Sequence, residues 1–174
     1  MLRLVAIRLV AIQLVLSFAA VLVAGQASAQ YGGGGGGVGS KAPTILSFKT
    51  MYGVNGPFLG ATNPVRGVDG DADIWLLKSA KGSLTSSGKL SIDVKGLVLP
   101  TGLNDAPEFR ALVSCLAVNG GNVVETNVMT NGFPANEKGN SKIKAQLTLP
   151  QPCLAPIVMI LPGDEVVWFA MTGH

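Results

Sequence analysis

Strict alternation of apolar and polar residues is the feature that most constrains this fold. In residues 89–95, Leu90, Ile92 and Val94 fall on one side of an extended chain and the polar residues fall on the other. Residues 142–149 repeat the pattern. Both segments are typical of strands that have one face in the core and one face in water, so the sequence predicts a protein built from half-buried strands.

Turn residues divide the rest of the chain into further short strands. The apolar run 74–84 and the strand 89–99 flank Thr-Ser-Ser-Gly, and the runs 109–118 and 123–129 flank Asn-Gly-Gly-Asn. Each pair predicts an antiparallel hairpin, the second with positive-φ residues at its tip.

The C-terminal region continues the pattern. A buried-looking run at 157–161 is followed by Pro-Gly-Asp and a second apolar run at 166–170, and no stretch has the spacing and boundary signals of a helix. Seven to nine antiparallel strands predict an all-β fold, a β-sandwich, with a small β-barrel as the alternative.

The first 29 residues have the organisation of a secretory signal peptide. Arg3 and Arg8 lie in a short basic start, an apolar run follows at 9–24, and the small residues Ala27 and Ala29 fit a cleavage site. Retention as a membrane anchor is the alternative, but this run is shorter than the roughly 20 residues that span a bilayer. We expect a secreted or periplasmic protein with no stable transmembrane span after cleavage.

Residues 30–40 contain six consecutive glycines. Glycine loses more backbone entropy on ordering than any other residue, and this segment offers almost no apolar area in return. We predict a flexible linker. The remaining residues, 41–174, have a length that suits a single domain with one core.

Charge argues against a nucleic-acid partner. Without Arg3 and Arg8, eleven Lys and Arg residues face ten Asp and Glu residues, a net charge of +1. The lysines are dispersed along the sequence among acids: Lys49, Lys78, Lys81, Lys89, Lys95, Lys142 and Lys144. Because nucleic-acid surfaces need clustered cations, we expect the partner to be a protein or an envelope component.

The chain has two cysteines, Cys115 and Cys153. In an oxidising compartment, an even pair in a small domain predicts a disulfide. A redox or metal-ligand pair is the alternative, but the spacing is too long for Cys-x-x-Cys chemistry and a metal would need further soft ligands.

Few groups suit catalysis. The single histidine, His174, is the last residue, and neither Gly-x-Ser-x-Gly nor His-Glu-x-x-His occurs. A glycosidase needs only two suitably spaced carboxylates, for example Glu125 and a second acid, so this activity stays an alternative. We predict no catalytic residue, no cofactor, and no pocket in which two or more titratable side chains converge.

Asp69, Asp71 and Asp73 alternate in one loop and could direct oxygen ligands to calcium. The other interpretation is an acidic turn. The acidic turn fits better, because the sixth and twelfth positions counted from Asp69 hold Ile74 and Ala80, whereas an EF-hand needs Gly and Glu there.

Trp75 and Trp168 suggest a second kind of site, since an exposed indole on a sheet can stack on a sugar or anchor a partner. Each lies within an apolar run, so core packing is the alternative that the sequence favours.

Three segments, 109–115, 149–156 and 168–173, resemble a group of small secreted bacterial all-β proteins with no established activity. The likeness covers 74–173. It implies a secreted single domain with paired cysteines and implies nothing about activity.

The function expected from these features is that of a secreted or cell-envelope non-catalytic β-domain, either structural or protein-binding. A small-ligand binder for calcium or carbohydrate is the alternative, and a hydrolase is the third possibility.

Cleavage after Ala29 is the first testable expectation. Gln30 then becomes the N-terminus, because the small residues of the cleavage site follow the apolar run. Intact-mass analysis of secreted protein tests this, and a mass that retains residues 1–29 would indicate an anchored protein instead.

Overall fold

Two sheets account for most of the regular structure in residues 41–173, the part of the chain that this computed structural model describes. The signal peptide predicted at 1–29, the linker predicted at 30–40 and His174 lie outside the described residues. The helical elements within them are two 3₁₀ turns, Gly56–Phe58 and Gly60–Thr62. The predicted all-β class is confirmed.

Twelve strands follow one another in the described residues, and seven of them are five residues or longer. In chain order they are β1 (Thr44–Phe48), β2 (Tyr52–Gly53), β3 (Asp69–Gly70), β4 (Leu76–Thr85), β5 (Lys89–Val98), β6 (Glu108–Asn119), β7 (Asn122–Met129), β8 (Phe133–Pro134), β9 (Ser141–Gln146), β10 (Leu154–Pro162), β11 (Val167–Trp168) and β12 (Ala170–Met171).

A four-stranded sheet has the order β1-β4-β5-β9, and a six-stranded sheet has the order β2-β12-β10-β6-β7, with β8 also paired to β6. Both sheets are antiparallel, while β3 and β11 form a separate short parallel pair. The sheets do not close on themselves, so the small barrel is wrong and the arrangement is that expected of a β-sandwich.

The four-stranded sheet confirms the alternation read from the sequence. Leu90, Ile92 and Val94 are buried, and Ile143 on β9 lies opposite Ile92. The strand predicted at 142–149 ends earlier, at Gln146, although the backbone N–H of Leu147 still donates to the carbonyl of Gly88 in the same register. The apolar residues beyond the strand still enter the core, as Leu149 shows.

Strand β6 lies inside the six-stranded sheet, between β10 and β7, and its middle is buried on both faces. Phe109, Ala111 and Val113 fill one face, and Leu112 and Ser114 are buried on the other. A strand covered on two sides reads as a nearly continuous apolar run, which is the pattern seen at 109–118.

The β6–β7 hairpin has the predicted tip. Asn119 and Asn122 pair across a two-residue loop, and Gly120 and Gly121 adopt φ values of 56° and 82°. Two consecutive positive φ angles are those of a type I′ turn, whose twist matches that of the flanking strands. The pairing of β6 with β7 continues without a shift in register to Met129.

The run predicted as one strand at 166–170 is divided at Phe169, which separates β11 from β12. Adjacent residues of a strand point to opposite faces, and both Trp168 and Phe169 are buried. Phe169 stacks on Trp75, with ring centroids 3.7 Å apart and an interplanar angle of 16°. The chain is therefore held between two packed surfaces at this point.

The predicted disulfide between Cys115 and Cys153 is present, with Cα atoms 4.9 Å apart. Cys115 lies on the fully buried face of β6, and Cys153 comes just before β10. The bond therefore connects neighbouring strands of the six-stranded sheet at their β6–β7 hairpin end.

Replacement of both cysteines by alanine is expected to lower the free energy of unfolding by about 4 kcal/mol, because the unfolded chain regains the entropy of a loop spanning 38 positions. Urea denaturation of the double variant and of the reduced wild type checks this. A loss below about 1 kcal/mol in both would show that strand packing alone holds this end of the sheet.

Candidate functional site

The three aspartates of the predicted calcium loop have different structural roles. Asp69 lies in β3 opposite Val167, and the Oδ1 atom of Asp71 accepts a hydrogen bond of 2.7 Å from the backbone N–H of Asp73. That contact is an Asx turn, as the acidic-turn interpretation requires. Among residues 41–173, no three His, Cys, Asp or Glu side chains are arranged to hold a metal ion.

An acidic cleft of about 250 Å³ lies at one end of the domain. Its carboxylates come from three separate loops and are Asp71, Asp73, Asp105, Asp164 and Glu165. The expectation that no pocket gathers two titratable side chains is therefore wrong. Sequence reasoning missed the cleft because its acids are far apart in the chain, and only the sandwich brings their loops to the same end.

Trp75 and Trp168 are 3% and 0% exposed, so neither indole presents a ring face to a ligand in solution. Trp75 stacks on Phe169, and Trp168 packs near Phe58 with ring centroids 6.0 Å apart. The sugar-stacking hypothesis for these two residues is wrong in this structure. Their large apolar rings fill the core instead, as their position within apolar runs indicates.

A cluster of exposed apolar side chains lies instead at the hairpin end of the six-stranded sheet. Val118 on β6 lies opposite Val123 on β7, and Leu116 lies opposite Leu154 on β10. Directly opposed residues share a face, as do residues two apart on one strand, so the four side chains are neighbours. We call these four residues the apolar patch.

Three of the four residues of the apolar patch are exposed to solvent. Val118, Val123 and Leu154 are 51%, 65% and 47% exposed. Single exposed apolar residues are common, whereas contiguous groups on one face mark interaction surfaces.

The patch ends where a loop crosses the same face of the sheet. The Nη2 atom of Arg66 donates to the carbonyl of Ala155 at 3.2 Å, and the side-chain amide of Asn127 donates to the carbonyl of Arg66 at 3.1 Å. Beneath this loop Ser114 is fully buried. The loop thus covers the middle of the face and leaves its hairpin end uncovered.

Strand β7 also forms one edge of the six-stranded sheet. The backbone N–H of Thr130, just beyond β7, donates to the carbonyl of Ala111 at 2.9 Å. Because hydrogen-bonded and non-bonded residues alternate along an antiparallel pair, Val123, Glu125 and Asn127 direct their backbone groups to the open side.

The other long edges of the two sheets carry features that discourage pairing. Strand β9 displays Lys142 and Lys144, and the pairing of β1 with β4 shifts register between Thr44 and Leu46. Charged residues and bulges are the usual means of protecting an edge. Strand β7 has eight residues in unbroken register, with neither lysine nor proline among them, and Glu125 is its single charged residue.

Sequence reasoning placed β7 correctly but did not identify it as an interaction surface. The run at 123–129 predicts a strand and does not reveal whether that strand is central or at an edge. The exposure of Val118 and Val123 likewise depends on what crosses the outer face, which is decided by residues such as Arg66, about fifty positions away in the sequence.

In residues 41–173, no helix is both long enough and apolar enough to cross a membrane.

Comparison of the chain with protein-family models, with curated proteins and with solved structures gives no significant match. The assignment of function therefore rests on the surfaces of the molecule itself.

Proposed function

We propose that this chain is a secreted or cell-envelope, non-catalytic protein-binding domain that accepts an extended segment of another protein at β7. The observation that carries the proposal is the unprotected edge of β7 beside the apolar patch. Addition of a strand to a sheet edge supplies affinity through main-chain hydrogen bonds, and adjacent side-chain contacts supply specificity.

The backbone contribution comes from the open groups of Val123, Glu125 and Asn127. A partner strand placed about 4.8 Å from β7 pairs with these groups and extends the six-stranded sheet. No rearrangement of the domain is needed, because β7 already has a regular extended conformation from Asn122 to Met129. The backbone of β7 therefore loses little conformational freedom on binding.

The side-chain contribution comes from Val123, the residue of the apolar patch that lies on β7. Alternate residues of an added strand lie on the same face as Val123 and Glu125, one strand spacing from β7, whereas Val118 and Leu116 on β6 lie two strand spacings away. A partner segment with apolar residues at every second position would bury the exposed side of Val123 and close the β7 side of the apolar patch. Such a segment has the same alternation that builds the domain itself.

Extracellular or envelope localisation is supported by the Cys115–Cys153 disulfide, which fits an oxidising compartment. The signal peptide predicted at 1–29 agrees with it. The proposed lack of catalysis is supported by the composition, since the sequence contains a single histidine.

Site-specific photocrosslinking in the producing organism tests the proposal. A benzoylphenylalanine at position 123 is expected to give a discrete adduct with a partner protein, because Val123 lies at the edge of β7 and is 65% exposed. The matched control carries the same group at Leu103, a loop residue that is 58% exposed. An adduct with the mass of two copies would identify a second copy of the chain as the partner.

A second substitution, Glu125→Pro, distinguishes strand addition from a simple apolar contact. Its ring replaces an N–H that points to the open side, so the β6–β7 pairing is kept while an added strand is blocked. The adduct at position 123 should then fall at least tenfold. Failure to form an adduct, or an adduct unchanged by Glu125→Pro, would contradict the proposal.

A further inference from the structure

The outer face of the four-stranded sheet gathers lysines that are dispersed in the sequence. Lys81 and Lys142 lie on either side of Asp93, and Lys144 lies opposite Ser91. On β4, β5 and β9 this face consists of Ser79, Lys81, Ser83, Lys89, Ser91, Asp93, Lys95, Lys142, Lys144 and Gln146. We call these ten residues the basic face. Five of the seven lysines that the sequence presents as scattered belong to it.

The charge of the basic face is mostly uncompensated. Among residues 41–173 one ion pair forms, in which the Nζ atom of Lys95 lies 3.5 Å from the Oδ1 atom of Asp93. Both groups are about half exposed, and such a pair contributes little to stability. Its five lysines and one aspartate give the basic face a net charge of +4, although the folded part of the chain is nearly neutral overall.

The shape of the basic face is a narrow strip. Three strands at about 4.8 Å spacing make it about 10 Å wide, and the six steps from Lys89 to Lys95 make it about 20 Å long. A shallow depression of about 630 Å³ lies on it, lined by Lys89, Ser91, Lys144 and Gln146 together with Leu90 and Ala145. These dimensions suit a linear polymer lying along the strands.

The residue types of the basic face favour one class of anionic polymer over others. The ten residues of the basic face include no aromatic side chain that could stack on bases and no apolar side chain that could enter a bilayer. Lysine supplies point charges, which attract carboxylate, sulfate and phosphate groups alike. The Ser and Gln side chains add hydrogen-bonding groups for hydroxyls.

The geometry points to a binding site for a linear acidic polysaccharide on the basic face. Lys81, Lys89, Lys142 and Lys144 contact its acidic groups. Ser91 hydrogen-bonds to its hydroxyl groups, and so does the Oε1 atom of Gln146, whose Nε2 atom donates to the carbonyl of Ser87. The surface is distinct from the β7 edge because it belongs to the other sheet. A domain held on an acidic polysaccharide by this face keeps β7 free.

Titration of the secreted protein with fluorescein-labelled dextran sulfate tests the inference, with neutral dextran as the control polymer. We expect anisotropy to rise with dextran sulfate only and the affinity to fall as salt is raised. Lys142→Gln/Lys144→Gln should weaken binding at least tenfold at low salt, since each lysine near an anionic surface contributes severalfold to affinity.

The matched control is Lys138→Glu, which changes the net charge by the same amount. Lys138 is exposed in the turn before β9 and lies off the basic face, so its replacement should change the affinity less than twofold. Asp93→Asn, which removes the single acid of the face, should strengthen binding.

Three results would overturn the inference. The first is no binding of dextran sulfate, and the second is an equal loss of affinity in Lys138→Glu and in the double variant. The third is tighter lysine-dependent binding of duplex DNA or of phosphatidylglycerol vesicles than of dextran sulfate, which would assign the face to a nucleic acid or a membrane.

Discussion

The burial of the middle of β6 on both faces is the constraint on which the rest of the structure depends. Phe109, Ala111 and Val113 are buried on one face, and Leu112 and Ser114 are buried on the other. The strand must therefore lie between two layers, with β7 and β10 beside it to satisfy its backbone. The disulfide at Cys115 fixes its position relative to β10.

This arrangement explains why the two candidate surfaces lie where they do. The loop that carries Arg66 covers the outer face of the six-stranded sheet only in part, so the apolar patch stays exposed beside β7. The four-stranded sheet has just one buried face, and the alternation that fills the core with Ile92 and Val94 places the lysines together on the outside. Both surfaces are thus consequences of how the core is covered.

The sequence predicts those parts of the fold that depend on local patterns. Alternation places β5, Asn-Gly-Gly-Asn places the β6–β7 turn, and the pair of cysteines predicts the disulfide, all as observed. Properties that depend on pairing between distant segments cannot be predicted from these local patterns. The acidic cleft, the exposed Val123 and the clustering of lysines all follow from strand order and loop crossings, and the parallel contact of β3 with β11 has no local signal at all.

Amide hydrogen exchange along β7, followed by NMR, tests most directly the claim that this edge is open to another strand. The alternation of hydrogen-bonded and non-bonded residues along β7 predicts protected amides at Val124, Thr126 and Val128, which bond to β6. It predicts fast exchange at Glu125 and Asn127, which face the open side. Uniform protection from 123 to 128 in the isolated protein would contradict the account, because it would mean that the edge is already covered.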